Sequence, residues 1–219
     1  MINSEVEFFD AMYAAYLANE KECSVSCHEL GKARRRVRGV IRTFNISSLE
    51  RAKVLDIGCG LGYYSEAIRL QGAEVTAVDT SSVAIEFIKE EFPKVDSRVA
   101  SFPEELRDDG PYDIIWSCDF SFINTFDVDH ICQEFIQPSL KLLKHHGSLI
   151  IGWHSDFSGT MGNSNWAHWP LDMIEVMKNK TGLSGPRVAT MPTSTLSWAV
   201  IHCARMLKKS IPIYLHRRA

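Results

Sequence analysis

Three glycines at alternate positions, in Asp56-Ile57-Gly58-Cys59-Gly60-Leu61-Gly62, separate a short apolar, β-branched stretch (residues 53–57) from a helix-like one (63–70). Glycine admits a tight turn and lets a ligand approach the backbone closely. The spacing differs from the dinucleotide fingerprint, because Tyr63 follows the third glycine. No Gly-Lys-Ser/Thr follows either, so this is no phosphate-cradling loop. A second acidic residue, Asp79, ends the apolar stretch Val75-Thr76-Ala77-Val78, with Thr80 beside it. Further along, Cys118-Asp119-Phe120-Ser121-Phe122-Ile123-Asn124 and Trp153-His154-Ser155-Asp156-Phe157-Ser158-Gly159 follow two other apolar stretches. The second runs on through Asn163 to Trp169 and includes His168. Histidine titrates near neutrality, which suits His154 and His168 to general-base work, and Asp119 is placed to partner either ring.

These residues need a scaffold that brings strand ends together. Expected strands at 53–57, 74–78, 97–100, 112–117 and 148–153 alternate with expected helices at 63–70, 82–91 and 129–143, where Pro138 should kink the chain. A helix at 171–180, a strand at 187–191, a helix at 194–208 and a strand at 211–216 follow. Two helices, at 5–18 and about 26–44, precede the alternation. The pattern implies an α/β fold: a doubly wound, mostly parallel seven-stranded sheet with an N-terminal helical cap. Ligands on such sheets bind beyond the carboxyl ends of the strands, where all the residues named above would gather. The chain reads as a single domain, with a lid at 1–45, a core at 46–155 and a substrate-side loop and strands at 156–219.

The run Val54-Leu55-Asp56-Ile57-Gly58-Cys59-Gly60-Leu61-Gly62 resembles motif I of the Rossmann-like (class I) S-adenosylmethionine-dependent methyltransferases. The resemblance extends from about residue 53 to 153, through Tyr112-Asp113 at the fourth strand and Leu142-Leu143-Lys144 before the fifth. It implies S-adenosylmethionine as cofactor and S-adenosylhomocysteine as product. It also implies that Asp56, Gly58, Cys59, Gly60 and Gly62 surround the cofactor's amino-acid tail and ribose, and that Asp79 accepts from both ribose hydroxyls. Thr80, Cys118 and Tyr13, the last from the lid, complete the expected cofactor contacts. Many relatives have an Asp after the third strand to take the adenine amino group; here Ser101 and Phe102 stand there, and stacking on Phe102 is expected instead. His145 and His146 replace a Pro-Gly pair and read as turn residues.

Composition narrows the function. The 219 residues are 45% hydrophobic and 23% charged, with a formal net charge of −3, a balance that argues against a nucleic-acid binder. Arg34-Arg35-Arg36-Val37-Arg38 is a local exception, read as a solvated helix face or a polyanion contact. No apolar run reaches the ~20 residues of a membrane helix, and the N-terminus lacks signal-peptide order. A cytoplasmic protein, monomer or homodimer, with no membrane partner is expected. Six cysteines are expected to stay reduced. Cys23, Cys27 and His28 have no second cluster, so no metal is expected. The expected activity is methyl transfer to a small-molecule acceptor, at a hydroxyl of a sugar, glycan precursor or secondary metabolite, with His154 or His168 as base and Asp119 in support. N-methylation, a protein or RNA substrate, and a non-catalytic cofactor-binding module are the alternatives.

Overall fold

The structure is a computed structural model that describes residues 2–18, 28–46, 48–161, 166–189, 191 and 194–219. Two helices, α1 (Ile2–Leu17) and α2 (Leu30–Thr43), lead into β1 (Lys53–Ile57), α3 (Tyr63–Arg69), β2 (Glu74–Asp79), α4 (Ser82–Glu91) and β3 (Asp96–Val99). Then come β4 (Tyr112–Cys118), a broken helix of α5 (Val128–Ile131) and α6 (Gln137–Lys141), and β5 (Leu143–Ser155). The chain finishes with α7 (Leu171–Thr181), β6 (Ser184–Arg187), α8 (Ser194–Met206) and β7 (Ile211–Arg218). Among the described residues the strands form one seven-stranded sheet in the order β3-β2-β1-β4-β5-β7-β6. The first five run parallel, and β7 is antiparallel to both β5 and β6.

Residues of β1 explain the central position of that strand. Val54, Leu55, Asp56 and Ile57 are all buried, as expected of a strand covered on both faces. One face carries Leu55, Ile57, Ile115, Ile151 and Trp153 against Phe135, Ile174 and Ile201. The other carries Val54, Ala77, Trp116 and Ile150 against Val37, Val40, Tyr64 and Ile68. The sheet order reverses beside β1, so β1 and β4 open the crevice at their carboxyl ends.

Three expected elements are corrected. The strand expected at 187–191 lies at Ser184–Arg187. Gly185 and Pro186 made that stretch look like a turn, but β6 is an edge strand paired on one side, where such residues are tolerated. The fifth strand begins at Leu143, so His145 and His146 fall at the amino edge of the sheet, far from the crevice. The helix expected at 129–143 contains a π-helical stretch, Cys132–Ile136, just before Pro138. Cys23 and Cys27 lie outside the described residues, whereas Cys59, Cys118, Cys132 and Cys203 are free thiols.

Helix α2 rests on the sheet side by a close backbone contact. A Cβ added at Gly39 would sit 2.0 Å from the carbonyl oxygen of Ala189. Gly→Ala in a helix ordinarily stabilises by about 1 kcal/mol. At Gly39 the sign should reverse, because the helix must lift from its seat at an overpacking cost of about 1–3 kcal/mol. Urea unfolding should show Gly39→Ala less stable than wild type. Gly31→Ala is the control on the same helix, since its Cβ meets nothing closer than the flexible Glu29 carboxylate at 3.3 Å.

Candidate active site

The glycine loop is clamped at its start. The backbone N–H groups of Gly58 and Cys59 both donate to the Val78 carbonyl, at 2.9 and 3.0 Å. The chain then turns through Gly58, Gly60 and Gly62 with φ of 67°, 51° and 74°. These are left-handed conformations that side-chain-bearing residues avoid. Gly58 is constrained twice, because a Cβ there would lie 2.3 Å from Cδ2 of Phe120. The Phe120 ring therefore lies directly over the first glycine.

Two carboxylates face this loop. Asp56 is buried, and its Oδ2 accepts from Ser65 Oγ at 2.6 Å. Asp79 Oδ2 accepts from Gly60 N–H and its Oδ1 from Ser81 N–H, both at 2.9 Å. Burial pushes the Asp56 carboxyl up to about 7, with Ser65 working against the shift and Asp79 adding to it. Burial also raises the Asp79 carboxyl. Neither has an Arg, Lys or His within ion-pair distance among the described residues. Two desolvated acids without a cation are costly, and each oxygen of Asp79 keeps acceptor capacity. A ligand bringing a positive charge and hydroxyl donors would offset that cost.

The lid helix packs onto this corner. Tyr13 is 5% exposed and clusters with Leu61 of the glycine loop and Ala84 of α4. Asp10 on the same helix accepts from Ser81 Oγ at 2.5 Å and from Val83 N–H at 3.3 Å. This carboxylate at the N-terminus of α4 favours docking electrostatically. Sequence reasoning named Tyr13 and missed Asp10.

Other expected cofactor contacts are placed differently. Phe102 is 5% exposed and packs edge-on against Phe135 in the core. That burial leaves the ring little face on which an adenine could stack. Ser101 remains at the edge, its N–H held by Glu105 Oε2 at 2.6 Å. The Cys118 side chain packs toward the α2–α3 side of the sheet, and Cys59 is buried in the same cluster. Burial pushes both thiols well above the ordinary range. Thr80 is half-buried at the end of β2.

At the ends of β4 and β5 the structure joins residues that are far apart in sequence. Asp119 takes a left-handed φ of 55°, which turns its carboxylate back across the sheet. Its Oδ1 meets His154 N–H at 3.2 Å and His154 Nδ1 at 3.1 Å. That contact fixes Nδ1 as the protonated nitrogen of the neutral ring and leaves the Nε2 lone pair outward. Arg36 Nη2 donates to that Nε2 lone pair in a long contact of 3.4 Å, and Arg36 Nη1 donates to Tyr64 Oη at 2.9 Å. The His154 side chain is 34% exposed and Asp119 only 9%, so the imidazole is reachable and its partner is sheltered.

His168 sits in a different setting. Its Nδ1 accepts from Asp156 N–H at 3.2 Å, and its backbone closes a hairpin with Gly159 and Thr160. With Nδ1 accepting, the proton of the neutral ring lies on Nε2, which then has no lone pair to give. The tryptophans of this loop are core residues: Trp153, Trp166 and Trp169 are 2%, 8% and 0% exposed. Trp169 Nε1 donates to the Ile123 carbonyl, and Ala167 N–H donates to Asn124 Oδ1, so the loop is pinned to the segment after β4. The partly buried rings of Phe120 and Phe122, 5.3 Å apart, follow β4 at this end of the sheet.

A sequence model of the methyltransferase-domain family matches residues 54–147, the stretch that carries the glycine loop, Asp79 and Asp119. Residues 54–147 form a methyltransferase domain of the Rossmann-like class. A ubiquinone biosynthesis O-methyltransferase of Pelagibacter ubique is 38% identical to the chain over 122 residues, 51% of this chain and 48% of that relative. The chain thus spans about half the length of the curated relatives it matches. The methyltransferase domain and its flanks superpose on magnesium protoporphyrin IX methyltransferase from Synechocystis PCC 6803, solved with bound S-adenosylhomocysteine. That match has a TM-score of 0.62 at 13% identity, over 99% of this chain and 100% of that one. The [4+2]-cyclase SpnF superposes with a TM-score of 0.64 at 14% identity, over 97% and 94% of the two chains. At those identities the likeness is one of fold, and the fold evidently carries more than one chemistry.

Proposed function

We propose that the protein is an S-adenosylmethionine-dependent O-methyltransferase acting on a small hydroxylated acceptor. The observation that carries this reading is the Asp119–His154 pair, held across the ends of β4 and β5 beside a glycine loop faced by two carboxylates that have no ion-paired cation among the described residues. S-adenosylmethionine fits that corner by its chemistry: an ammonium to answer Asp56, ribose hydroxyls to donate to Asp79, and no phosphate needing a cationic cradle. When bound, it supplies an electrophilic methyl group. The residues of this chain do the rest. Asp119 orients His154, and an acceptor hydroxyl that displaces the long Arg36 contact gives its proton to Nε2. Arg36 sets a positive charge 3.4 Å from Nε2, where an oxygen losing its proton gains charge. Phe120 and Phe122 offer an apolar wall that suits a ring-bearing acceptor and keeps water out. The helical segment before residue 45 would cover the cofactor, and residues 156–219 would shape the acceptor side. Curated relatives named for O-methyl transfer favour oxygen over nitrogen as the acceptor atom.

One substitution tests the cofactor assignment. Asp79→Ala removes two charged acceptors, each worth about 1.5–3 kcal/mol. Calorimetry should show at least tenfold weaker binding of S-adenosylmethionine, with the fold intact by circular dichroism. Unchanged affinity would remove Asp79 from the site. The acceptor class is tested by incubating the protein with methyl-labelled S-adenosylmethionine and panels of phenols, sugars and amines. Label should pass to a hydroxyl; transfer confined to amines would replace this reading with N-methylation.

A further inference from the structure

Apart from Arg36, the basic residues of helix α2 have no part in methyl transfer. Residues 30–43 contain Lys32, Arg34, Arg35, Arg36, Arg38 and Arg42 and no acid, in a chain whose net charge is −3. Like charges at helical spacing repel each other, so this helix is destabilised by its own charge. Arg36 turns inward to His154, while Arg35, Arg38 and Arg42 turn outward and line a groove of about 430 Å³. The floor of that groove is Gly39, Ala189 and Met191. Its walls are tied by Thr43 Oγ1 donating to the Met191 carbonyl at 3.4 Å. Among the described residues, the side chains of Arg38 and Arg42 make no hydrogen bond or ion pair, and Arg35 has only Glu29 at 3.9 Å.

We propose that this groove binds a small ligand carrying two or more linked phosphates. Arg35, Arg38 and Arg42 recur at i, i+3 and i+7, a row about 10 Å long at 1.5 Å per residue. Three guanidiniums in line over that length match a chain of phosphates better than a single one, and each is built for bidentate contact with phosphate oxygens. The concavity and apolar floor are of small-ligand size. An extended nucleic acid would need a longer basic track, which the acidic balance of the rest of the chain does not offer. The groove is distinct from the crevice at the ends of β1 and β4, so this proposal stands apart from methyl transfer.

The test is calorimetric titration of the full chain with sodium tripolyphosphate and with pyrophosphate, at low and at physiological salt. We expect micromolar affinity for tripolyphosphate, at least tenfold weaker binding in Arg38→Gln and in Arg42→Gln, and at most a twofold change in Arg34→Gln. Arg34→Gln removes the same charge from the same helix, but Arg34 lies outside the groove. Circular dichroism establishes that each variant is folded. An equal loss in Arg34→Gln would reduce the effect to diffuse charge. No binding below millimolar concentration would overturn the proposal, as would tighter, arginine-dependent binding of a single-stranded RNA oligomer.

Discussion

His154→Ala should lower methyl transfer about 10²–10⁴-fold, the range a positioned general base supplies, while leaving S-adenosylmethionine affinity within twofold. The expectation rests on separation of roles. His154 contacts Asp119 and Arg36, and makes no hydrogen bond to the glycine loop or to Asp79. Asp119→Asn should fall almost as far, because an amide can present its NH₂ to Nδ1 and favour the wrong tautomer. His168→Ala should cost far less turnover, since its ring is committed to the Asp156 backbone. Steady-state turnover with the acceptor found by screening, set beside calorimetric cofactor affinity, checks all three. Wild-type turnover in His154→Ala would shift the base elsewhere. Cofactor binding without turnover on any acceptor would favour a non-catalytic module.

The second large effect concerns pH and stability. Asp56 is held at about 7 in the folded protein, against an ordinary value of 3.8, chiefly because burial disfavours its charge. A carboxyl raised in this way contributes nothing adverse below pH 4, where it is neutral in both folded and unfolded chains. As pH rises from about 4 to 7, the unfolded chain ionises it freely and the folded chain does not, so stability is lost across that window. Each pH unit within the window is worth about 1.4 kcal/mol, which puts the loss on the order of a few kcal/mol. Above pH 7 the difference levels off. Asp56→Asn keeps an oxygen for Ser65 Oγ and has nothing to ionise. Urea unfolding at pH 5 and pH 8 should show wild type losing stability relative to Asp56→Asn between the two. Parallel behaviour of the two proteins would mean that the carboxylate is solvated or paired.

Local signals were legible in the sequence and distant ones were not. The strand, glycine turn and helix around Asp56 follow from neighbouring residues: β-branched burial, then glycines that must take positive φ, then a helix start. Asp79 was legible for the same reason, as the polar end of a buried strand. The Asp119–His154 contact was half visible. Each residue stands just past a strand, and adjacent parallel strands bring such ends together, yet nothing local chose between His154 and His168. The left-handed turn at Asp119 made the choice, and an Asp in that conformation is not announced by its neighbours. Arg36 was invisible as a site residue because it is one of four arginines within five residues. Only its packing position, beside buried Val37 and Val40, aims it inward across 118 residues to His154. Trp153, Trp166 and Trp169 show the opposite limit: a loop rich in aromatic residues reads the same whether the rings face substrate or core.

Every role assigned above in methyl transfer depends on S-adenosylmethionine binding at the corner formed by the glycine loop, Asp56 and Asp79. The most direct measurement is calorimetric titration of the purified chain with S-adenosylmethionine and with S-adenosylhomocysteine. We predict micromolar, one-to-one binding of both, about −8 kcal/mol at 1 μM, with matched weakening in Asp79→Ala. A folded protein that binds neither compound would contradict the assignment.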